Sequence, residues 1–210
     1  MKFVLNKPID MEEVLRDAKP HGIIHAGAYL GQWWKIYEKY GVKNRCWIEA
    51  CPETFDKLSI NVPQIDIKLN YAVCDRDEEM IFVVTSNMQS SSIFSLKIHL
   101  KVYPSIKPTK QIIVIGRRMD TLIDQGLIDI SKYDFLLMDL QGAEYLALKG
   151  LEKNISKINY IVSEVNYMKL YDGSTLFNNF DKYISSLGFK KVIMTKFKEY
   201  GEGDVYYKRT

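Results

Sequence analysis

Apolar and polar positions change period several times along the chain, and each change marks an element. Residues 8–18 carry apolar residues at helical spacing, with Asp10 placed to cap, Glu13 to complete a capping box and Pro20 to stop the helix. Ile23 and Ile24 form a short buried run, followed by a glycine turn and a helix whose apolar positions recur at Trp33, Ile36, Tyr37 and Tyr40. A second short run, Cys46-Trp47-Ile48, closes on Glu49, and Pro52 opens the next helix at a position where its missing N–H costs little. Residues 65–73 alternate and then become wholly apolar, the mark of a third strand running toward a site.

Residues 80–85 and 111–115 are β-rich and predict an antiparallel pair around a long loop. That loop, 86–110, holds Ser90-Ser91-Ser92, His99 and two prolines, and a connection of such length in a compact domain is functional or mobile. His99 reads as a surface residue. A short capped helix follows at 118–123. Residues 133–139 are continuously apolar up to Asp139, so the strand has both faces covered, as in a parallel sheet. A helix with Ala143, Leu146, Ala147 and Leu151 on one face comes next, then a strand over 158–165 containing Glu164, and a helix over 175–186. Two last strands, 190–195 and 204–208, joined by a glycine-containing turn, form a hairpin.

Strand-turn-helix units in this order build an open α/β sheet, whose ligands sit beyond the carboxyl ends of the strands where strand order reverses. Gly27 lets the first turn double back, and Gly31 lets helix and strand pack closely with backbone open to a ligand. A dinucleotide fingerprint needs three glycines, yet His25 and Leu30 occupy its first and third positions, so a pyrophosphate grip is disfavoured. Glu49, 18 residues beyond Gly31, stands where a strand tip presents an acid to ribose hydroxyls. A glycine turn and a ribose acid without a phosphate grip fit an adenosine ligand lacking phosphates, of which S-adenosylmethionine (SAM) is the commonest. Acids at successive strand tips also set a negative field suited to a sulfonium.

Three segments then identify a resemblance. His25-x-Gly27-Ala28-x-x-Gly31-Gln32, Trp47-Ile48-Glu49-Ala50-x-Pro52-Glu53 and Met138-Asp139-Leu140-Gln141-Gly142-Ala143-Glu144-x-x-Ala147-Leu148-x-Gly150 resemble, in order, the FkbM family of SAM-dependent methyltransferases, over roughly residues 20–205. The resemblance departs at His25, where many members carry an acid. It implies a single Rossmann-like class I methyltransferase domain at 21–210 behind an N-terminal helical extension at 1–20. The fold expected is a mostly parallel seven-stranded sheet with a C-terminal antiparallel hairpin and a small β insertion near 80–117. It also implies an enzyme that methylates a hydroxyl of a sugar, glycan or other small molecule. An RNA or protein acceptor, and a non-catalytic module keeping the fold, are the alternatives.

The residues expected to hold the cofactor are His25, Gly27, Ala28, Gly31, Glu49, Ala50, Ala72, Val73, Asp75, Asp139 and Gln141. For a catalytic base Asp139 comes first, with Glu164 and His25 behind it. If their strands are neighbours, Asp139 and Glu164 can share a proton, which raises one pKa. Asp139 alternatively binds the methionine amino group. Ser91, Ser92, Glu144, Asn166 and Tyr171 are expected at the acceptor, although a carboxylate at Glu144 would favour its helix dipole in any case.

Composition narrows the remaining classes. The 210 residues carry 47% hydrophobic and 26% charged residues, as one globular domain does, and no apolar run reaches the ~20 residues of a membrane span. A net charge of +3 is too small to draw nucleic acid, and Lys107, Lys110, Arg117 and Arg118 around the long loop read as solvated. Cys46, Cys51 and Cys74 lack metal spacing and read as reduced thiols, so neither a metal nor a disulfide is expected. The expected setting is cytoplasmic, with a homodimer compatible with the sequence.

Overall fold

In the computed structural model, which describes residues 1–197 and 199–210, the continuous apolar runs become the buried centre of a sheet. Its strands are β1 (Lys2–Leu5), β2 (Gly22–Ala26), β3 (Asn44–Ile48), β4 (Ile67–Leu69), β8 (Phe135–Met138), β9 (Tyr160–Asn166), β10 (Phe189–Lys196) and β11 (Glu202–Arg209). They lie in the order β1-β10-β11-β9-β8-β2-β3-β4. Strands β9, β8, β2, β3 and β4 are mutually parallel, β11 runs antiparallel to β9, and β10 and β11 form the expected hairpin. Strand order reverses between β2 and β8.

The sheet has eight strands where seven were expected, because β1 adds to the outer edge of β10 in parallel. The N-terminal segment is therefore a strand as well as a helix. Four residues with Phe3 and Leu5 largely exposed carry no readable period, and β1 is a strand only because β10 offers it an unpaired edge.

Successive residues of β2 point to opposite faces, and each face has its own cover. Ile24 and Ala26 face the core with Leu136 and Met138, against Leu148 of α6 (Glu144–Lys149), Ile184 of α7 (Phe177–Ser186) and Leu122 of α5 (Met119–Asp124). On the other face Ile23, Trp47 and Phe135 pack against Leu15 of α1 (Met11–Ala18), Tyr37 of α2 (Trp34–Lys39) and Leu58 of α3 (Pro52–Asn61). Each such side chain, fully buried, stabilises the fold by about 1.5–3 kcal/mol. Trp47 is buried at 0% exposure, and its indole N–H is met by Asp66 at 2.9 Å, which also ion-pairs Arg45 at 2.9 Å.

The predicted caps hold in part. Asp10 accepts the amides of Glu12 and Glu13, whereas Glu13 turns its carboxylate to Lys2 and leaves the capping box half made.

The run 65–73 is two elements, not one. Asn70 donates to the carbonyls of Glu49 and Ala50, sealing the end of β3, and the chain then leaves the main sheet. Ala72–Val73 (β5) pairs instead with β7 (Pro108–Arg117), which is antiparallel to β6 (Glu79–Thr85), giving the three-stranded insertion β5-β7-β6. The segment between β6 and β7 holds a short helix, α4 (His99–Val102), and is tied down by bridges Val83–Ser92 and Leu96–Tyr171. Among the described residues no helix is long and apolar enough to cross a membrane.

Candidate functional site

At the reversal point between β2 and β8 the chain must turn away from the sheet twice, and both turns are built around fixed backbone. Gly27 has φ +79°, and a Cβ there would lie 1.8 Å from the carbonyl oxygen of Asp139, so the turn after β2 touches the turn after β8. Tyr29 also adopts the left-handed region at φ 49°, and its amide donates 2.9 Å to Glu49 Oε2, while the Cys51 amide donates 3.0 Å to Oε1. Gln141 has φ 53° in the turn after β8. Non-glycine residues in this region cost energy and gather where a surrounding structure needs them.

A cavity of about 390 Å³ opens over these turns, within the ~300–1,000 Å³ range of small-molecule sites. One end is lined by Gly27, Tyr29, Glu49, Ala50, Tyr71, Ala72 and Val73, together with Met88 and Ser91 of the long loop. The other end holds Gln141, Glu164, Glu202, His99 and Tyr103, with Asp139 between the two, close enough to repel both Glu49 and Glu164. Among the described lining residues are four carboxylates and no lysine or arginine. Of the basic residues around the loop, Lys110 pairs Glu53, Arg118 pairs Asp77, and the Arg117 guanidinium lies 5.6 Å from the centre of the Tyr71 ring.

Burial and like charge tune these acids. Burial pushes Glu49 up to about 7, with Asp139 adding repulsion against the stabilising amides of Cys51 and Tyr29. Glu164 is raised well above the usual carboxylate range, first by burial and then by Asp139 and Glu202. The Gln141 amide nitrogen spans the pair, donating 2.7 Å to Asp139 Oδ1 and 2.8 Å to Glu164 Oε2, and its oxygen accepts from Tyr171 Oη. His25 is 3% exposed, lies 3.2 Å from Tyr37 Oη through Nδ1, and is driven down to about 3 by burial, so its ring is neutral.

Of the residues read from sequence as candidates, His25, Gly27, Glu49, Ala50, Ala72, Val73, Ser91, Asp139, Gln141 and Glu164 line the cavity. Others do not. Ala28 is buried behind the turn, and Gly31 packs toward Val62 and Leu58 with no opening to a ligand. Asp75 pairs Arg76 outside the cavity, because the chain has already left for the insertion. Ser92 holds the Gln141 carbonyl, and Tyr171 its side-chain oxygen. Glu144 is buried and accepts the amides of Leu140 and Gly142, which makes it the clasp of its own turn, and burial raises it to about 7. Asn166 is buried off the cavity with Oδ1 unpartnered.

His99, read as a surface residue, is 2% exposed and lines the cavity instead. His99, Tyr103 and Glu202 carry no local mark of a site, because only tertiary pairing brings them to the cavity. Glu202 stands in a glycine-flanked turn sequence, and the β11–β9 register opposing it to Asn166 sets it near Glu164. The alternation Glu202-x-Asp204 through the last strand was the one available signal.

A family model described as the methyltransferase FkbM domain matches residues 25–191. Among solved structures, a methyltransferase FkbM from Methylobacillus flagellatus KT superposes with TM-score 0.52 at 14% identity, covering 90% of this chain and 44% of that one. A magnesium protoporphyrin IX methyltransferase from Synechocystis PCC 6803, solved with bound SAM, gives 0.50 at 8% identity, covering 95% and 76%. An O-methyltransferase from Bacillus cereus, in complex with SAH, gives 0.50 at 11%, covering 94% and 77%. At these identities the likeness is one of fold, and the chain spans under half the length of the Methylobacillus protein. No curated protein matches the sequence.

Proposed function

The chain belongs to the methyltransferase FkbM family, and from that premise we propose that it transfers a methyl group from SAM to a hydroxyl of a sugar, a glycan or another small molecule. The observation that carries this reading is the cavity itself: a glycine turn and a strand-tip acid at the reversal point, four carboxylates around it and no lysine or arginine among the described lining residues. A phosphorylated nucleotide would meet uncompensated negative charge there, whereas a sulfonium with an amino group meets opposite charge. The donor set thus fits SAM.

Glu49 would accept from the ribose hydroxyls through the lone pairs its oxygens keep free beside the Tyr29 and Cys51 amides. Ala50, Tyr71, Ala72, Val73 and Met88 form the less polar wall suited to adenine, and Asp139 with Gln141 faces the amino-acid end. When bound, SAM supplies an electrophilic methyl group and a leaving group that needs no proton.

What remains for the protein is to orient the acceptor hydroxyl, exclude water and take a proton. Orientation is worth ~7–11 kcal/mol of barrier and a placed base typically 10²–10⁴-fold. Glu164 suits the base role better than Asp139, the first choice from sequence. Its carboxylate lines the cavity, is held by Gln141 and has a proton affinity raised by burial and two acidic neighbours. A carboxylate whose proton affinity is raised is a stronger acceptor once it is ionised. His25 is a poor base at a pKa of about 3 and serves as a wall hydrogen-bonded to Tyr37.

Calorimetry with S-adenosylhomocysteine and the Glu49→Ala variant tests the cofactor assignment. Heat of binding in the wild type and its loss in the variant are expected; an absence of heat in the wild type defeats the reading. Transfer of labelled methyl groups into a fractionated cell extract tests the reaction, with label entering a glycan or small-molecule fraction.

A further inference from the structure

The proposed function uses two of the four cavity carboxylates for the cofactor and one as base, and leaves the far end unexplained. There Tyr103 donates its hydroxyl to Glu202 Oε1 at 2.5 Å and stacks on Tyr200 at 5.1 Å between ring centroids. The His99 ring lies 4.8 Å from Tyr103 and 5.2 Å from Tyr171. His99 is almost wholly buried, and its Nδ1 has no hydrogen-bond partner. A buried polar atom left unpaired costs about 1–3 kcal/mol, so its retention beside a cavity points to a ligand group that satisfies it.

Charge gives the chemistry of that group. SAM brings one net positive charge, two cationic groups against one carboxylate, and this is spent on the end near Glu49 and Asp139. Glu164 and Glu202 remain, flanked by aromatic rings, with no lysine or arginine among the described lining residues to balance them. Carboxylates beside aromatic faces attract ammonium groups through ion pairing and the ring quadrupole. A phosphate or carboxylate placed there would face two carboxyl groups whose proton affinity burial and neighbouring acids already raise, with no lysine or arginine among the described lining residues to balance it.

We propose that this corner is an ammonium subsite: the acceptor carries a protonated amine next to the hydroxyl to be methylated, held by Glu202 and the Tyr103 ring, with the His99 imidazole pairing a neighbouring polar group. The assignment rests on the methyl-transfer reading and narrows its acceptor to an amino-bearing sugar or polyol.

The test titrates S-adenosylhomocysteine-loaded protein with D-glucosamine, D-glucose and D-glucose 6-phosphate, following each by NMR and calorimetry. D-glucosamine is expected to bind about tenfold more tightly than D-glucose, the phosphate not at all. In Glu202→Gln the preference should vanish while affinity for S-adenosylhomocysteine stays unchanged, which also reports that the variant is folded. His99→Phe, which keeps the ring contacts and removes the polar atom, should weaken D-glucosamine binding. Equal binding of D-glucosamine and D-glucose, binding of the phosphate, binding of none of the three, or a preference that survives Glu202→Gln overturns the inference. Failure of the wild type to bind S-adenosylhomocysteine instead takes down the methyl-transfer reading, so the two failures are told apart.

Discussion

Glu164 and Asp139 are one strand apart and joined by Gln141, which makes the pair the most consequential side chains of the cavity. In the proposed reaction, Glu164→Gln keeps the shape and the Gln141 contact while removing the proton acceptor. It is expected to lower kcat 10²–10⁴-fold with affinity for S-adenosylhomocysteine within about threefold of wild type, read by steady-state kinetics and calorimetry. Glu49 supplies a pH signature. Its folded pKa of about 7 lies above the unfolded value near 4.5, so folding favours the protonated form. That contribution to stability is fully present below about pH 4.5 and is lost as pH rises toward 7, with a slope approaching 1.4 kcal/mol per pH unit. Glu144, raised to about 7, and Asp204, raised to about 6, add in the same direction. Denaturant melts of the ligand-free protein should therefore weaken between pH 5 and 7, and Glu49→Gln should remove part of that slope. Glu49, Asp139 and Glu164 were legible in the sequence because each ends or nearly ends an apolar run. Glu202 and His99 were not: His99 lies in no periodic pattern, and the alternation Glu202-x-Asp204 does not say which face of its strand meets the site.

Elements carry the geometry that the side chains need. The turn after β2 and the turn after β8 meet at Gly27, and Gly27→Ala would drive a methyl group into the Asp139 carbonyl, a backbone atom with little freedom to yield. The left-handed conformation alone costs an alanine about 1–2 kcal/mol, and the clash adds to it. A fall in urea midpoint together with loss of cofactor binding is expected. Behind the site, β3 is steadied by Asp66, which holds both Arg45 and the Trp47 indole in a region closed to water. Asp66→Asn would leave a buried guanidinium without a counter-charge and should cost about 3–5 kcal/mol, measured by equilibrium denaturation. The segment 65–73 shows why elements were only partly legible. Its apolar pattern continues through Asn70, but the Asn70 side chain satisfies the end of β3 and releases the chain to a second sheet.

At the scale of the whole molecule, the cavity is a junction of parts far apart in sequence: the turns of the main sheet, the segment 86–107 of the insertion and the start of β11 all reach it. A ligand filling it ties these parts together and binds the folded state alone. At a concentration 100 times Kd, S-adenosylhomocysteine should stabilise the protein by about 2.7 kcal/mol, raising Tm by roughly 5–10 °C. ATP and NAD, whose phosphates find no lysine or arginine on the described walls, should leave Tm unchanged in the same thermal-shift series. Stabilisation by either nucleotide would contradict the electrostatic argument.

Hydrophobic period and turn chemistry act over a few residues, and the sequence by itself determined what depends on them: the alternating α/β order, the central strands, the glycine turn, the strand-tip acids and the family they belong to. Tertiary structure alone decided β1, the departure of the chain at Asn70, and the corner of His99, Tyr103 and Glu202. Those features depend on which strand edge is free and which strands are neighbours, and contacts between residues 20 to 191 positions apart leave no local trace in the side chains they bring together.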